Sequence, residues 1–554
     1  MASRAKEIRR AVEDMKSKNS TRSGVLDDCA RFGLPRDKDI SFQTSDDGHE
    51  KPQPISSRMA NGVDRFTGWL YSNTVGSLSD LFLLRDMDED RNKIDTVSKW
   101  YSDLTEVLIR SVQNSNFSLS SHEMLFSYVA FGQGFHSAEM DELTGRITNK
   151  SYSANGNNWM TVDAEGKPNG FYRLKEFTAR QAVEKFGEEN LSDELKRASE
   201  AEHTAHNLFS FYYVVRRRKE RKRELKTMQG KPWEGIWVEG SAKNDKLVEE
   251  RGFVSFPFQC PRFYAVDGEA HGRGVVHKGM YDVRALQRAR HDYFESVESA
   301  VKPALVTSDE DAADGFDYRA GSVNIIDDVE HIKEVSSQKS IPAIKDLNED
   351  LCQAVDSACY LDLVNIIDSQ KIYQNPQTAE LVERQISGIL PAYGRLKSEF
   401  FEAYVERQIA LMIDRDSGLP PEERMIPAPP PEVLREDGSF LFTIAFNTRL
   451  DAKIQRLQNS NLLTFYAHAS DAAAAYGANP SLDALVPLRK ALRFIALNDN
   501  VAADLVNSKD AEDDALAKIQ QAQKDAQDRE LAAKMIKPVD TAAAPQPGSP
   551  MAEM

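Results

Sequence analysis

The chain lacks the raw material of several common functions. Four cysteines in 554 residues, Cys29, Cys260, Cys352 and Cys359, are too few for a disulfide scaffold and suit a reducing compartment. No apolar run reaches the roughly 18–20 residues that cross a bilayer. The first twenty residues carry charge but no apolar stretch, so they do not read as a secretory signal. Cations are in deficit: 70 Lys and Arg stand against 87 Asp and Glu, a formal charge of −17. Proteins that grip nucleic acid by counterion release concentrate Lys and Arg. This balance argues against tight DNA binding and suits a surface along which DNA slides.

Catalytic signals are equally sparse. Gly272-Arg273-Gly274 lacks the Gly-Lys-Ser/Thr ending of a phosphate loop. His203 and His206 have helical spacing but no third ligand nearby in sequence. No Ser/His/Asp or Cys/His constellation stands out, although a triad assembled in space stays open. Cys352 and Cys359 share a helix face and read as small packing residues. No catalytic, metal or cofactor site is expected.

What is present is organisation. The length exceeds one compact core and predicts several domains or one extended subunit. Residues 1–60 start with a short amphipathic helix (Ile8, Val12, Met15) and continue as a polar arm. Residues 65–138 read as helical. A hairpin is predicted from Trp159–Val162 and Gly170–Leu174 around a turn-rich loop, then a helix from Thr178 to Gly187. Leu208–Val215, Gly235–Val238, Phe253–Phe256 and Arg262–Val266 read as strands of an antiparallel unit.

From Gly279 a helix carries Val283, Leu286, Tyr293, Phe294, Val297, Ala300 and Val301 as an apolar stripe. Pro303–Pro342 is acidic and β-prone, with Ala304–Thr307 and Ser322–Ile326 as strand candidates. A second helix sets Leu347, Leu351, Val355, Ala358 and Leu361 on one face, with Glu349, Asp350, Asp356 and Asp362 away from it. The polar segment 368–377 follows, then a third helix from Thr378 to about Asp414, with kinks expected at Pro391 and Gly394. A Pro-rich loop, the strand Phe440–Phe446 and three helical stretches close the chain, ahead of an Ala/Pro/Gly-rich tail. The basic run Arg216–Lys226 contains Glu220 and Glu224. A solvated hairpin and an anion-binding patch are both open readings of it.

Several phrases stand in a telling order. Ser98-Lys99-Trp100-Tyr101 opens a helix that leads to Ser115-Asn116-Phe117, and Phe131-Gly132 follows. Phe177 through Gln181 precede Phe186-Gly187. Then come Gly252-Phe253, Phe256-Pro257-Phe258, Pro261-Arg262 and Gly272-Arg273-Gly274. Thr378-Ala379-Glu380, Leu396 through Phe400 and Leu419-Pro420 complete the series. Each is weak alone; the ordered set resembles the portal, or head-to-tail connecting, proteins of short-tailed phages. Val275, where that family often has Pro, and the 282–287 phrase depart from the pattern.

The resemblance implies a mainly helical α+β portal fold that closes into a ring of about twelve subunits. Its regions would be an N-terminal arm (1–60), wing (61–278 and 378–450), stem helices (279–303 and 343–367), clip (304–342), tunnel loop (368–377), crown (451–537) and a disordered tail (538–554). It implies a channel at one capsid vertex of the virion through which double-stranded DNA is packaged and ejected. Terminase large subunit, a tail adaptor, scaffold and major capsid protein are the implied partners, and assembly would occur in the bacterial cytoplasm without a membrane. Glu349, Asp356 and Asp362, with Lys371 and Tyr373 of the tunnel loop, are the DNA-channel candidates. An ordinary solvated face is the competing reading of the three acids. Another tail or internal virion protein, or a helical DNA-processing enzyme, are the alternative functions.

Overall fold

A computed structural model of the chain describes residues 2–33, 55–76, 81–88, 90–141, 144–154, 156–222, 227–240, 245–301, 304–307, 332–335, 341–368, 388–417, 419–435 and 440–452, with Gln521 and Lys524. The chain divides into two units, Met1–Asp451 and Ala452–Met554. The first is a mixed arrangement of helices and antiparallel sheets.

Two helices begin the chain, α1 (Ala2–Lys18) and α2 (Ser20–Gly33), followed by α3 (Arg58–Thr74). Strand β1 (Phe82–Asp86), α4 (Asp95–Gln113) and α5 (Phe117–Phe131) come next. A five-stranded meander holds the middle: β4 (Asn158–Val162), β5 (Pro168–Thr178), β6 (Leu208–Arg217), β7 (Trp233–Glu239) and β8 (Lys246–Phe253), each antiparallel to its neighbour. A smaller sheet sets β2 (Gly134–Met140) between β3 (Ile147–Ser153) and β9 (Phe258–Gln259).

The meander is apolar on both faces, and each face has its cover. Trp159, Tyr212, Val214, Ile236 and Val238 point to one side, where Ala5, Ile8 and Val12 of α1 seal them. On the other side Phe171 stacks on Phe258 of β9 at 3.8 Å, and Tyr213 stacks on Trp237 at 4.3 Å. Burial on both faces explains why β6 reads as a nearly continuous apolar run rather than an alternating one. Between β5 and β6, α6 (Ala179–Phe186) opens with a capping box in which Thr178 and Gln181 satisfy each other's backbone N–H, and α7 (Asp193–Glu200) follows.

Charge latches α1 to the sheet. Arg4 pairs with Glu234 and Glu250, each at 2.9 Å, and Arg9 reaches Asp245 at 2.9 Å. Glu7 receives Arg216 at 3.1 Å and Lys219 at 2.8 Å, which hold its carboxyl below the usual range. Arg218 is nearly buried and binds Glu250 at 2.7 Å. The start of the basic run 216–226 is thus spent inside the subunit.

Several elements differ from the sequence reading. Residues 82–86 and 134–138 are strands, not helix. Phe82–Asp86 pairs with β12 (Phe442–Phe446), and left-handed Gly132, φ 80°, stops α5 so that β2 can begin. Residues 20–33 are helical rather than a polar arm. Arg262–Val266 forms only isolated bridges, and Phe253 ends β8 instead of opening a strand. Residues 388–396 are α-helical through Pro391 and Gly394, and Lys397–Glu402 form a π stretch ahead of α12 (Ala403–Asp416). The strand candidate Ser322–Ile326, the Thr378 cap, the expected crown helices apart from residues 451–452, Gln521 and Lys524, and the tail lie outside the described residues.

Candidate functional site

The Gly-Arg-Gly turn sits on the floor made by the end of α5. A Cβ on Gly274 would stand 2.3 Å from the Ala130 carbonyl oxygen, and one on Gly272 would stand 2.2 Å from that of Gly132. Two backbone segments far apart in sequence therefore touch, which only glycine permits. Gln133 fills the joint: its Nε2 donates to the carbonyls of Cys260 and Pro261, both at 3.2 Å, and its Oε1 accepts from Gly272 N–H at 3.2 Å. Arg262 adds a second clamp. Its backbone N–H and guanidinium both bind Glu399 of the π stretch, at 2.9 Å from the backbone and 2.5 Å from the side chain. Three separate phrases of the sequence, Phe131-Gly132, Pro261-Arg262 and Gly272-Arg273-Gly274, thus form one rigid joint.

From that joint, α8 (Val275–Lys278) leads directly into α9 (Met280–Val301). Strand β10 (Ala304–Thr307) pairs antiparallel with β11 (Ile332–Val335), and α10 (Ile341–Ala358) returns along α9. The near half of this helix hairpin is packed in the subunit: Val283, Leu286, Ala289, Val355 and Ala358 are buried. The far half is not. Phe294 is 55% exposed and Leu347 51%, although both lie on the predicted stripes; Tyr281, near the joint, is 82% exposed. Between the halves, buried Asn348 donates from Nδ2 to the Ala289 carbonyl at 3.5 Å.

The second helix does not run through to 367. Tyr360 has φ 56° and breaks it into α10 and α11 (Leu361–Asp368). Tertiary contacts hold this costly conformation. The Tyr360 ring stacks on Phe66 at 5.5 Å, its hydroxyl bonds that of Tyr264, and Lys278 Nζ lies 5.1 Å from the ring centre. Next to it, Cys359 Sγ lies 3.3 Å from Met59 Sδ; burial pushes that thiol up to about 12. Arg58 grips Asp356 with two N–H groups, Nε at 2.7 Å, and Arg65 Nη2 donates to Asn365 Oδ1 at 2.9 Å.

The candidate acids are therefore not equivalent. Glu349 is exposed, 3.9 Å from Lys345 one turn away; Asp362 is exposed in the first turn of α11. Asp356 already has its cation in Arg58. Lys371 and Tyr373 lie outside the described residues.

One arrangement invisible in sequence has the look of a nucleophilic relay. Ser120 Oγ lies 3.1 Å from His136 Nε2, and His136 Nδ1 lies 2.9 Å from Gln259 Oε1. All three are buried, His136 completely, under Phe117, Phe400 and Tyr404. Burial lowers the imidazole pKa to about 4, partly opposed by the Gln259 bond. With all three side chains buried and no access for a substrate, the trio is a polar cluster inside the core, in which Gln259 Nε2 has no partner. His203 and His206 lie exposed in a turn, not a helix. Among the described residues, ligand atoms suited to a metal converge only at His291, Asp292 and Glu295, all exposed.

A family model described as "Bacteriophage head to tail connecting protein" matches residues 5–506. The chain belongs to that family. Curated relatives agree. The chain is 21% identical over 337 residues to the probable portal protein of Bordetella phage BPP-1, covering 59% of this chain and 60% of the relative. It is 23% identical over 366 residues to the portal protein of Salmonella phage epsilon15, covering 63% and 62%. The chain thus spans about three-fifths of the length of these relatives. No helix among the described residues is long and apolar enough to cross a membrane.

Proposed function

We propose that this protein is a portal subunit, one copy of a closed ring at a capsid vertex through which double-stranded DNA enters and leaves the phage head. The observation that carries the reading is the helix hairpin α9–α10. It leaves a rigid joint without a linker, ends in a two-stranded ribbon and keeps large apolar residues on its far half. A hairpin exposing Phe294 and Leu347 needs a neighbour. Copies set side by side around an axis supply one, because a head-to-tail contact that closes makes a ring. The resemblance implies about twelve copies, with the hairpin as stem and the 304–342 segment as clip.

On this reading the ring is a passive channel, and a separate motor supplies ATP hydrolysis. Glu349 and Asp362 are the better lumen candidates, since their carboxylates are exposed. Asp356, held by Arg58, fastens the hairpin to α3. Carboxylates facing DNA within a Debye length, about 8 Å at physiological salt, would repel phosphate and keep it moving. Terminase, a tail adaptor, scaffold and coat protein are the partners this role requires.

The clip supplies the test. Deleting residues 308–320 between β10 and β11 should leave the ring intact and abolish binding of the tail adaptor. A deleted ring that binds the adaptor normally would refute the clip assignment.

A further inference from the structure

A groove of about 820 Å³ opens between β8 and α12. On one side every residue from Glu249 to Val254 lines it. Alternate residues of a strand face opposite ways, so a groove lined by consecutive ones meets the strand along its edge. Strand β8 is the end of the five-stranded meander, and β7 is its sole partner among the described residues. Its outer row of N–H and C=O groups has no backbone partner there. The opposite wall is one face of α12, Arg407, Ala410, Leu411, Asp414 and Arg415, spaced as helical neighbours. A free strand edge facing a helix is the geometry in which an extended peptide joins a sheet.

The charges say what kind of peptide. Arg251 pairs with Glu139 at 3.1 Å and with Glu249; Lys231 pairs with Asp414 at 2.6 Å. Glu250 is taken by Arg4 and Arg218. Arg407 differs. It is only 3% exposed, yet no carboxylate among the described residues pairs with it. Its Nε donates to the Ala138 carbonyl at 3.2 Å, and its Nη1 to Ser255 Oγ at 3.0 Å; Nη2 has no such partner. Glu139 and Asp414 lie close enough to act on it electrostatically but make no ion pair with it, and a carboxylate brought to Nη2 would add charge-assisted hydrogen bonds.

We propose that this groove binds an extended segment of another protein, added as a further strand on β8, with an acidic side chain of that segment on Arg407. The inference does not depend on ring formation. Its test uses the full chain and two fluorescently labelled, end-blocked probe peptides, Thr-Val-Asp-Val-Thr and Thr-Val-Asn-Val-Thr. The Asp probe should bind saturably and at least about tenfold more tightly than the Asn probe, the discrimination worth one charge-assisted hydrogen bond. Amides 249–253 should exchange more slowly when it is bound. The variant R407Q should erase the difference between probes. L411W, which fills the groove, should weaken the Asp probe. Equal affinity for both probes, or no binding, would overturn the proposal. So would protection of 249–253 that grows with protein concentration alone, which would make the occupant a second copy.

Discussion

Replacing Gly274 with alanine isolates the contact between the Gly-Arg-Gly turn and α5. Its φ of −98° suits any residue, so G274A adds no backbone strain. The new methyl group would stand 2.3 Å from the Ala130 oxygen and 2.5 Å from the Gly132 nitrogen. Both are backbone atoms and cannot rotate away. Overpacking of this kind costs about 1–3 kcal/mol or more, because α5 or the turn must shift. Gly166 offers the opposite control: its φ is +77° and a Cβ there would meet nothing within 4 Å. G166A therefore carries only the left-handed penalty, about 1–2 kcal/mol. Gly132 combines both burdens, with φ +80° and a Cβ 2.0 Å from Arg273 C. The expected order of loss in urea-unfolding midpoint is G132A, then G274A, then G166A. Hydrogen exchange should speed up in α8 and the end of α5 for the first two and not for the third. If G274A is less destabilised than G166A, or leaves α8 protected, the turn is not held by that contact.

Charge reversal separates the stem acids. E349K and D362K should assemble and package DNA slowly, with relief at higher salt; D356K should instead loosen the hairpin, because it sets a cation against Arg58. Normal packaging by E349K and D362K would make those carboxylates an ordinary solvated face. F294D with L347D should leave helicity unchanged by circular dichroism and yield monomers by native mass spectrometry; intact rings would contradict the exposed stripe as a subunit contact. Burial depresses the His136 pKa to about 4, below its unfolded value of about 6.5. The unfolded chain therefore binds more protons between these limits, and stability falls as pH drops through that window, by on the order of 3 kcal/mol. H136Q should flatten the slope, and an unchanged pH profile would refute it.

Local chemistry made part of this fold legible. The capping pair Thr178 and Gln181 with Gly187, the turn between β4 and β5, and the stripe on α1 are short-range signals, and each marks its element. Strand β1 was obscured because Leu81, Leu83 and Leu84 also fit helical spacing; its partner β12 lies at the far end of the unit, beyond any local pattern. β2 follows α5 after only Gly132 and Gln133, so the apolar texture runs through unbroken. The break at Tyr360 has no Gly or Pro to announce it. A tyrosine takes positive φ there because Phe66, Tyr264 and Lys278 enclose it. The same holds for the site. Glu349 and Asp362 could be picked out as exposed acids on a helix, but the partnership of Asp356 with Arg58 is a tertiary fact. So are the Ser120–His136–Gln259 trio and the free β8 edge.

A ring requires the exposed far half of the α9–α10 hairpin to find its partner in a neighbouring copy. End-on electron microscopy of the purified full chain tests this most directly. The prediction is a closed ring of single, high-order rotational symmetry, about twelvefold, with a central opening that passes duplex DNA. A monodisperse monomer at micromolar concentration, or an open filament, would contradict it.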